Sequence, residues 1–174
     1  MEKSTKKWIL SYLIAAGAGV LLHFLFSWFP NPVTALISPV RESIWEHVKI
    51  LYFPLLGTSL LISRGDKGIG RTPWLLSTLA VCAMMLGIAY LYHVTLRGES
   101  MYVDLALYFV LMAVGFLLPR VLWPLCEWPG TDKAAVALTI LLGVLIVWFT
   151  FFPPAGALFA DMSDALRTFL TIPV

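Results

Sequence analysis

The sequence predicts an all-α polytopic membrane protein, a bundle of five transmembrane helices. Three observations predict it. The 174-residue chain is 60% hydrophobic and only 13% charged, where a soluble domain is nearer half apolar and a quarter charged. Its mean hydropathy is +0.87. Several apolar runs approach the roughly 20 residues that cross a bilayer as a helix. The net charge of +2 is too small to point to nucleic acid, and no basic patch carries interleaved aromatics. Two cysteines, Cys82 and Cys126, offer neither a disulfide framework nor a metal-binding spacing. The expected partner is the lipid bilayer, and the whole chain, 1–174, reads as one membrane domain.

The first helix is expected over 8–29, ended by Pro30-Asn31-Pro32. Its apolar run continues unbroken to Phe29, which favours a retained helix over a cleaved signal peptide. Residues 31–38 read as a short loop or re-entrant turn. The second helix is expected over 39–63, with Ser38 as N-cap and Pro39 at the first helical position, where a missing N–H costs nothing. Its purely apolar part, 50–62, rises only about 20 Å against a hydrocarbon core of roughly 30 Å. Spanning therefore draws in residues back to Ile44. Pro54 is expected to kink it. The stretch Arg64 to Arg71 is basic and glycine-rich but lacks phosphate-loop spacing, and reads as a cytoplasmic hairpin. The third helix is expected over 73–96 behind a Thr72 cap, the fourth over 101–118 and the fifth over 134–152. A connecting loop over 119–133 and a partly amphipathic tail over 153–174 complete the chain. No internal repeat appears.

Orientation follows from Lys and Arg. Lys3, Lys6, Lys7, Arg64, Lys67, Arg71, Arg120 and Lys133 fall on one side, and Arg41, Lys49, Arg97 and Arg167 on the other. The excess puts the N-terminus in the cytoplasm and the C-terminus outside. All three histidines then lie toward the outer leaflet, with Glu42, Glu46, Glu99, Asp104, Asp161 and Asp164. The expected location is the cytoplasmic membrane.

Arg41, Glu42, Glu46, His47 and Lys49 fall within nine residues. On a helix, Glu42 and Glu46 share a face that Lys49 continues, and Ser43 and His47 form the adjacent stripe. Two carboxylates so placed in low dielectric need a cation, a shared proton or basic partners. Ionisable groups inside a bundle are expensive. The expectation is therefore a polar site in the outer half, lined by the second helix with His23, His93 and Asp104 from the others. Glu46 and His47 are the candidate acid–base pair. Arg41, Glu42, Ser43, Lys49, Asp104 and Asp161 are candidate ligand-binding residues. His23, Glu42, Glu46, His47 and His93 are candidate metal ligands. Mixed imidazole and carboxylate donors suit Zn, Fe or Mn. A small polar or lipid-like ligand is the other candidate occupant.

Two further readings stay open. In one, Glu46–Lys49 and Glu42–Arg41 neutralise each other, Lys49 snorkels outward, Trp45 anchors at the interface, and the chain is a structural or accessory subunit. In the other it is a small proton-coupled transporter, against which the inner halves of the last three helices offer only Thr and Ser.

The run Pro39-Val40-Arg41-Glu42-Ser43-Ile44-Trp45-Glu46-His47-Val48-Lys49 resembles the P-V-N-E-S-x-W-E-H-x-K signature of an uncharacterised family of small bacterial five-helix integral membrane proteins. His23 to Trp28, Pro153-Pro154 and Leu158-Phe159-x-Asp161 are similar to that family as well. Arg41 stands where the pattern has Asn, and Ala157 where it has Pro. The resemblance implies a membrane bundle and a site on the second helix. It implies no reaction.

Overall fold

The computed structural model describes residues 2–65 and 70–162. Residues 66–69 of the Arg64–Arg71 hairpin, and Asp164 and Arg167 of the tail, lie outside them. The described chain is helical, without strands. In order come α1 (Glu2–Trp28), α2 (Pro32–Ile37), α3 (Ile44–His47), α4 (Lys49–Gly65), α5 (Arg71–Ala89), a π-helical segment (Tyr90–Thr95), α6 (Met101–Leu122), a 3-10 turn (Trp123–Glu127) and α7 (Thr131–Phe151). Among the described residues four helices are long and apolar enough to cross a membrane: Lys6–Trp28, Arg71–Thr95, Met101–Glu127 and Thr131–Phe151. Their large apolar side chains are widely exposed, Ile14, Val110 and Ile140 among them, as lipid-facing surfaces require.

α5 is the central element, packed by α4, α6 and α7, while α1 lies against α4 and α6. Trp74 at the start of α5 is fully buried. It stacks on Trp8 at 5.3 Å and meets Phe116 edge-on. Arg120 covers the other end of that cluster, 4.6 Å from the Trp8 ring, a cation–π contact. Tyr108 ties α6 to α1 by donating to the Ala16 carbonyl at 2.7 Å, a bond that needs the bare backbone of Gly19 beside its ring.

The expected second helix over 39–63 is corrected. Ser38 is not its N-cap. It closes α2 instead, and its hydroxyl donates to the Leu22 carbonyl at 2.6 Å and accepts from the Phe26 amide at 2.9 Å. With that hydroxyl committed to α1, residues 38–43 run as an irregular segment. Ser43 supplies the cap by accepting from the Glu46 amide. The helix then makes one turn, α3, breaks at Val48 and resumes as α4 with Pro54 inside it. Residues 31–38, expected as a loop or re-entrant turn, contain the short helix α2, started by an Asn31 capping box. α5 begins at Arg71 after a Gly70 cap, in place of the Thr72 cap. α6 runs through Pro119 to Leu122, so the expected 119–133 loop starts later.

Beyond α7 the described tail folds back across α3. The Trp45 amide donates to the Leu158 carbonyl, and the Met162 amide donates to the Glu42 carbonyl, both at 2.9 Å. Phe159 packs 5.2 Å from the Trp45 ring and 5.3 Å from Phe149. Trp45 is therefore a buried packing residue and not an interface anchor.

Candidate metal centre

The break that separates α3 from α4 sorts the ionisable residues into three groups. The first is a buried clasp. Lys49 is fully buried, and its ammonium donates to the Ala35 carbonyl at 2.8 Å, the Ser38 carbonyl at 3.0 Å and Glu46 Oε2 at 2.7 Å. All three N–H donors are used. Glu46 Oε2 also accepts from the Val40 amide at 2.9 Å. Lys49 does not snorkel. It faces inward and pins the 35–40 segment, and Glu46 is turned toward it.

The second group is His23, Glu42 and His47. His23 comes from the last third of α1, Glu42 from the irregular segment, and His47 from the last position of α3. Each offers one ligand atom, and these atoms lie within 4.8 Å of one another. The two imidazole rings are 5.2 Å apart and tilted by 39°. His47 Nδ1 is 2.8 Å from the Ser43 carbonyl. A carbonyl only accepts, so Nδ1 carries hydrogen and Nε2 points at the site. There it meets Glu42 Oε2 at 3.3 Å. His23 Nδ1 is buried without a hydrogen-bond partner among the described residues. Glu42 is half exposed, with 54% of its side chain accessible, so the site opens outward.

The electrostatics are mutual. The hydrogen bond from His47 holds the Glu42 carboxyl below the usual carboxylate range. Burial works against protonation of His47, but the Glu42 carboxylate, the Ser43 carbonyl and the charge of Asp104 outweigh it and raise its pKa above the ordinary histidine value. The two shifts together favour a protonated imidazole beside an ionised carboxylate.

The third group is His93 and Asp104. His93 sits in the π-helical segment, whose widened turn is a form often found at functional sites. Its Nδ1 donates to the Gly98 carbonyl at 2.8 Å, and its Nε2 lies 2.8 Å from Asp104 Oδ1. Both nitrogens face acceptors. Gly98 is required there because a Cβ would collide with the Tyr92 ring, and Arg97 before it takes a left-handed φ of 54°.

Among the expected site residues the structure thus brings together His23, Glu42 and His47. It pairs His93 with Asp104 and encloses Glu46 with Lys49. Ser43 acts through its backbone carbonyl on His47 and its hydroxyl as helix cap. Arg41 turns away from Glu42 and donates to the Thr150 carbonyl of α7 at 2.9 Å. Asp161 lies half-buried in the returning tail. Sequence reasoning did not identify the partners that position these side chains: the carbonyls of Ser43, Ser38, Ala35 and Gly98. Backbone acceptors leave no trace in residue identity.

No curated protein and no solved structure matches the chain. A family model does, over residues 1–166, and the chain belongs to the family it describes, the family of unknown function DUF6512.

Proposed function

We propose that the protein crosses the cytoplasmic membrane five times, with its N-terminus inside, and binds a divalent metal ion at His23, Glu42 and His47 on the outer face. In this reading α4 is the fifth crossing. Its 17 residues are short, rising about 26 Å against a core of roughly 30 Å. The enclosed Glu46–Lys49 clasp supports it by letting the polar entry of α4 sit below the headgroups without an exposed charge.

One observation carries the metal reading: His47 presents Nε2, its tautomer set by the Ser43 carbonyl, 3.3 Å from Glu42 and beside an unpartnered buried nitrogen of His23. A cation with bonds of about 2.1 Å sets its ligands roughly 3 to 3.5 Å apart, so the His47–Glu42 edge already has the spacing. A backbone carbonyl on the far ring nitrogen is the usual second-layer support of a metal-bound histidine. Two imidazoles and one carboxylate suit Zn, Fe or Mn. Three protein ligands leave coordination positions open, the form of a site that binds and polarises an external group. Glu42 opens it to the headgroup level, where small polar molecules and lipid headgroups are the available ligands.

Equilibrium dialysis of the purified protein against Zn, Mn and Fe(II) tests the proposal. His23→Ala, Glu42→Gln and His47→Ala each lower affinity by more than roughly 100-fold, beyond the 10–100-fold loss typical of a supporting partner. His93→Ala and Asp104→Asn retain binding. Wild-type protein that binds none of the three metals, or triad variants that bind as wild type does, would refute it.

A further inference from the structure

α1, α4 and α6 meet at Gly19. A Cβ there would collide with the Tyr108 hydroxyl of α6 and come within 2.5 Å of the Ile50 carbonyl of α4. α1 and α6 run antiparallel, because Trp8 meets Phe116 and, further along α1, Ala16 accepts from Tyr108. Residues four apart share a helix face. One turn beyond the Gly19 junction, α1 therefore carries His23 and α6 carries Asp104 at the same level. His47, three residues before Ile50, completes that level, with its ring 5.2 Å from that of His23. Asp104 thus sits on the α6 side of the hollow that holds the triad, and its charge acts on His47.

Irregular backbone holds this carboxylate in place. His93 reaches it from the π-helical segment, and the chain then turns at Arg97 in a left-handed conformation that non-glycine residues seldom adopt. The Gly98 carbonyl only accepts, so His93 Nδ1 carries hydrogen. The 2.8 Å contact between Nε2 and Asp104 Oδ1 needs one further proton, on either atom. In both cases Asp104 Oδ2 is left as an acceptor. It has no hydrogen-bond partner among the described residues, and 43% of the side chain is accessible. The hollow therefore offers three metal-ligating atoms and one bare carboxylate oxygen.

We propose, resting on the metal reading, that Asp104 is a ligand-binding residue of the same site, and that the site takes a small head carrying both an oxygen donor and an O–H or N–H. The oxygen occupies a position that the three protein ligands leave open. The hydrogen goes to Asp104 Oδ2. His93 is a positioning residue that fixes which carboxylate oxygen is free. A fully ionised head has no hydrogen to give and meets the carboxylates of Glu42 and Asp104, so the site selects against it. A lipid headgroup and a free solute can both supply the protic head.

Isothermal titration of the zinc-loaded protein with acetohydroxamic acid and with thiocyanate tests it. Both ligate zinc, and only the first has a hydrogen for Asp104. Asp104→Ala keeps its affinity for zinc and thiocyanate and weakens acetohydroxamic acid roughly 10- to 100-fold, the loss expected when a hydrogen bond to a charged group is removed. Asp104→Asn, whose amide can turn Nδ2 to His93 and its oxygen to the ligand, recovers part of that loss. His93→Ala weakens the same probe alone. Unchanged hydroxamic acid affinity in Asp104→Ala, or equal weakening of both probes, overturns the proposal and leaves the metal centre standing. Wild-type protein that takes up no zinc overturns both. Octanohydroxamic acid assigns the source: tighter binding than the acetyl probe identifies a lipid head and equal binding a free solute, each in accord with the proposal.

Discussion

Lys49 shows what a single side chain contributes here. It is fully buried with three acceptors around its ammonium. Removing one partner of a buried pair leaves an uncompensated charge, at a cost of about 3–5 kcal/mol. Lys49→Met therefore lowers stability by that order in chemical denaturation of the detergent-solubilised protein, and it frees the Ala35–Val40 segment. An unchanged midpoint would mean the clasp is not structural. The Glu42–His47 pair behaves differently, because it is half open to water. Glu42 is depressed from 4.5 and His47 is raised from 6.5. The first contributes stability above the ordinary carboxylate pKa, lost as pH falls; the second contributes below the ordinary histidine pKa, lost as pH rises. Metal-free protein is accordingly best stabilised by this pair between roughly pH 4.5 and 6.5. Thermal unfolding across pH 4 to 8 shows that window in wild type, and Glu42→Gln abolishes it. A Glu42→Gln profile that matches wild type contradicts the pairing.

At the scale of elements, the site depends on three irregular pieces: the 38–43 segment, the π-helical turn and the returning tail. The charged stretch itself was legible, because five ionisable groups in nine residues are conspicuous in an apolar chain. Its register was not. Ser38-Pro39 and Ser43 offer equally good helix starts, and the choice is made by α1, which claims the Ser38 hydroxyl through Leu22 and Phe26. Reading Glu42 and Glu46 on one helical face followed from the wrong start. The π-helical segment has no sequence signature, so the His93–Asp104 bond could be anticipated only as proximity. Gly98→Ala drives a methyl into the Tyr92 ring and displaces the His93 carbonyl partner. The expected result is loss of the downfield imidazole N–H resonance of His93, and its persistence would show that the turn tolerates a side chain. Phe159 locks the tail onto Trp45 and Phe149. Phe159→Ala costs about 2 kcal/mol for a partly buried aromatic, and proteolysis then releases the tail from α3. A tail equally protected in the variant argues that the Leu158 and Met162 backbone bonds suffice.

At the scale of the molecule, the all-helical architecture was readable because long continuous apolar runs satisfy their backbone groups as helices. Among the described residues four helices are long and apolar enough to cross a membrane, and α4, with its polar entry, is the crossing that the proposed topology adds. The proposed topology places Lys133 inside and Ala155 outside. In intact cells a membrane-impermeant thiol reagent labels Ala155→Cys and spares Lys133→Cys, in a background lacking Cys82 and Cys126. The reverse pattern would invert the protein and move the histidines to the cytoplasmic side. The convergence of His23, Glu42 and His47 links all three scales, since it needs the Ser43 carbonyl, the break at Val48 and the packing of α1 on α4. X-ray absorption spectroscopy of the zinc-loaded protein measures that convergence directly. The account predicts two imidazoles and oxygen donors at about 2.0–2.1 Å, with one imidazole lost in His23→Ala. A spectrum showing water oxygens alone, or an unchanged shell in His23→Ala, would contradict it.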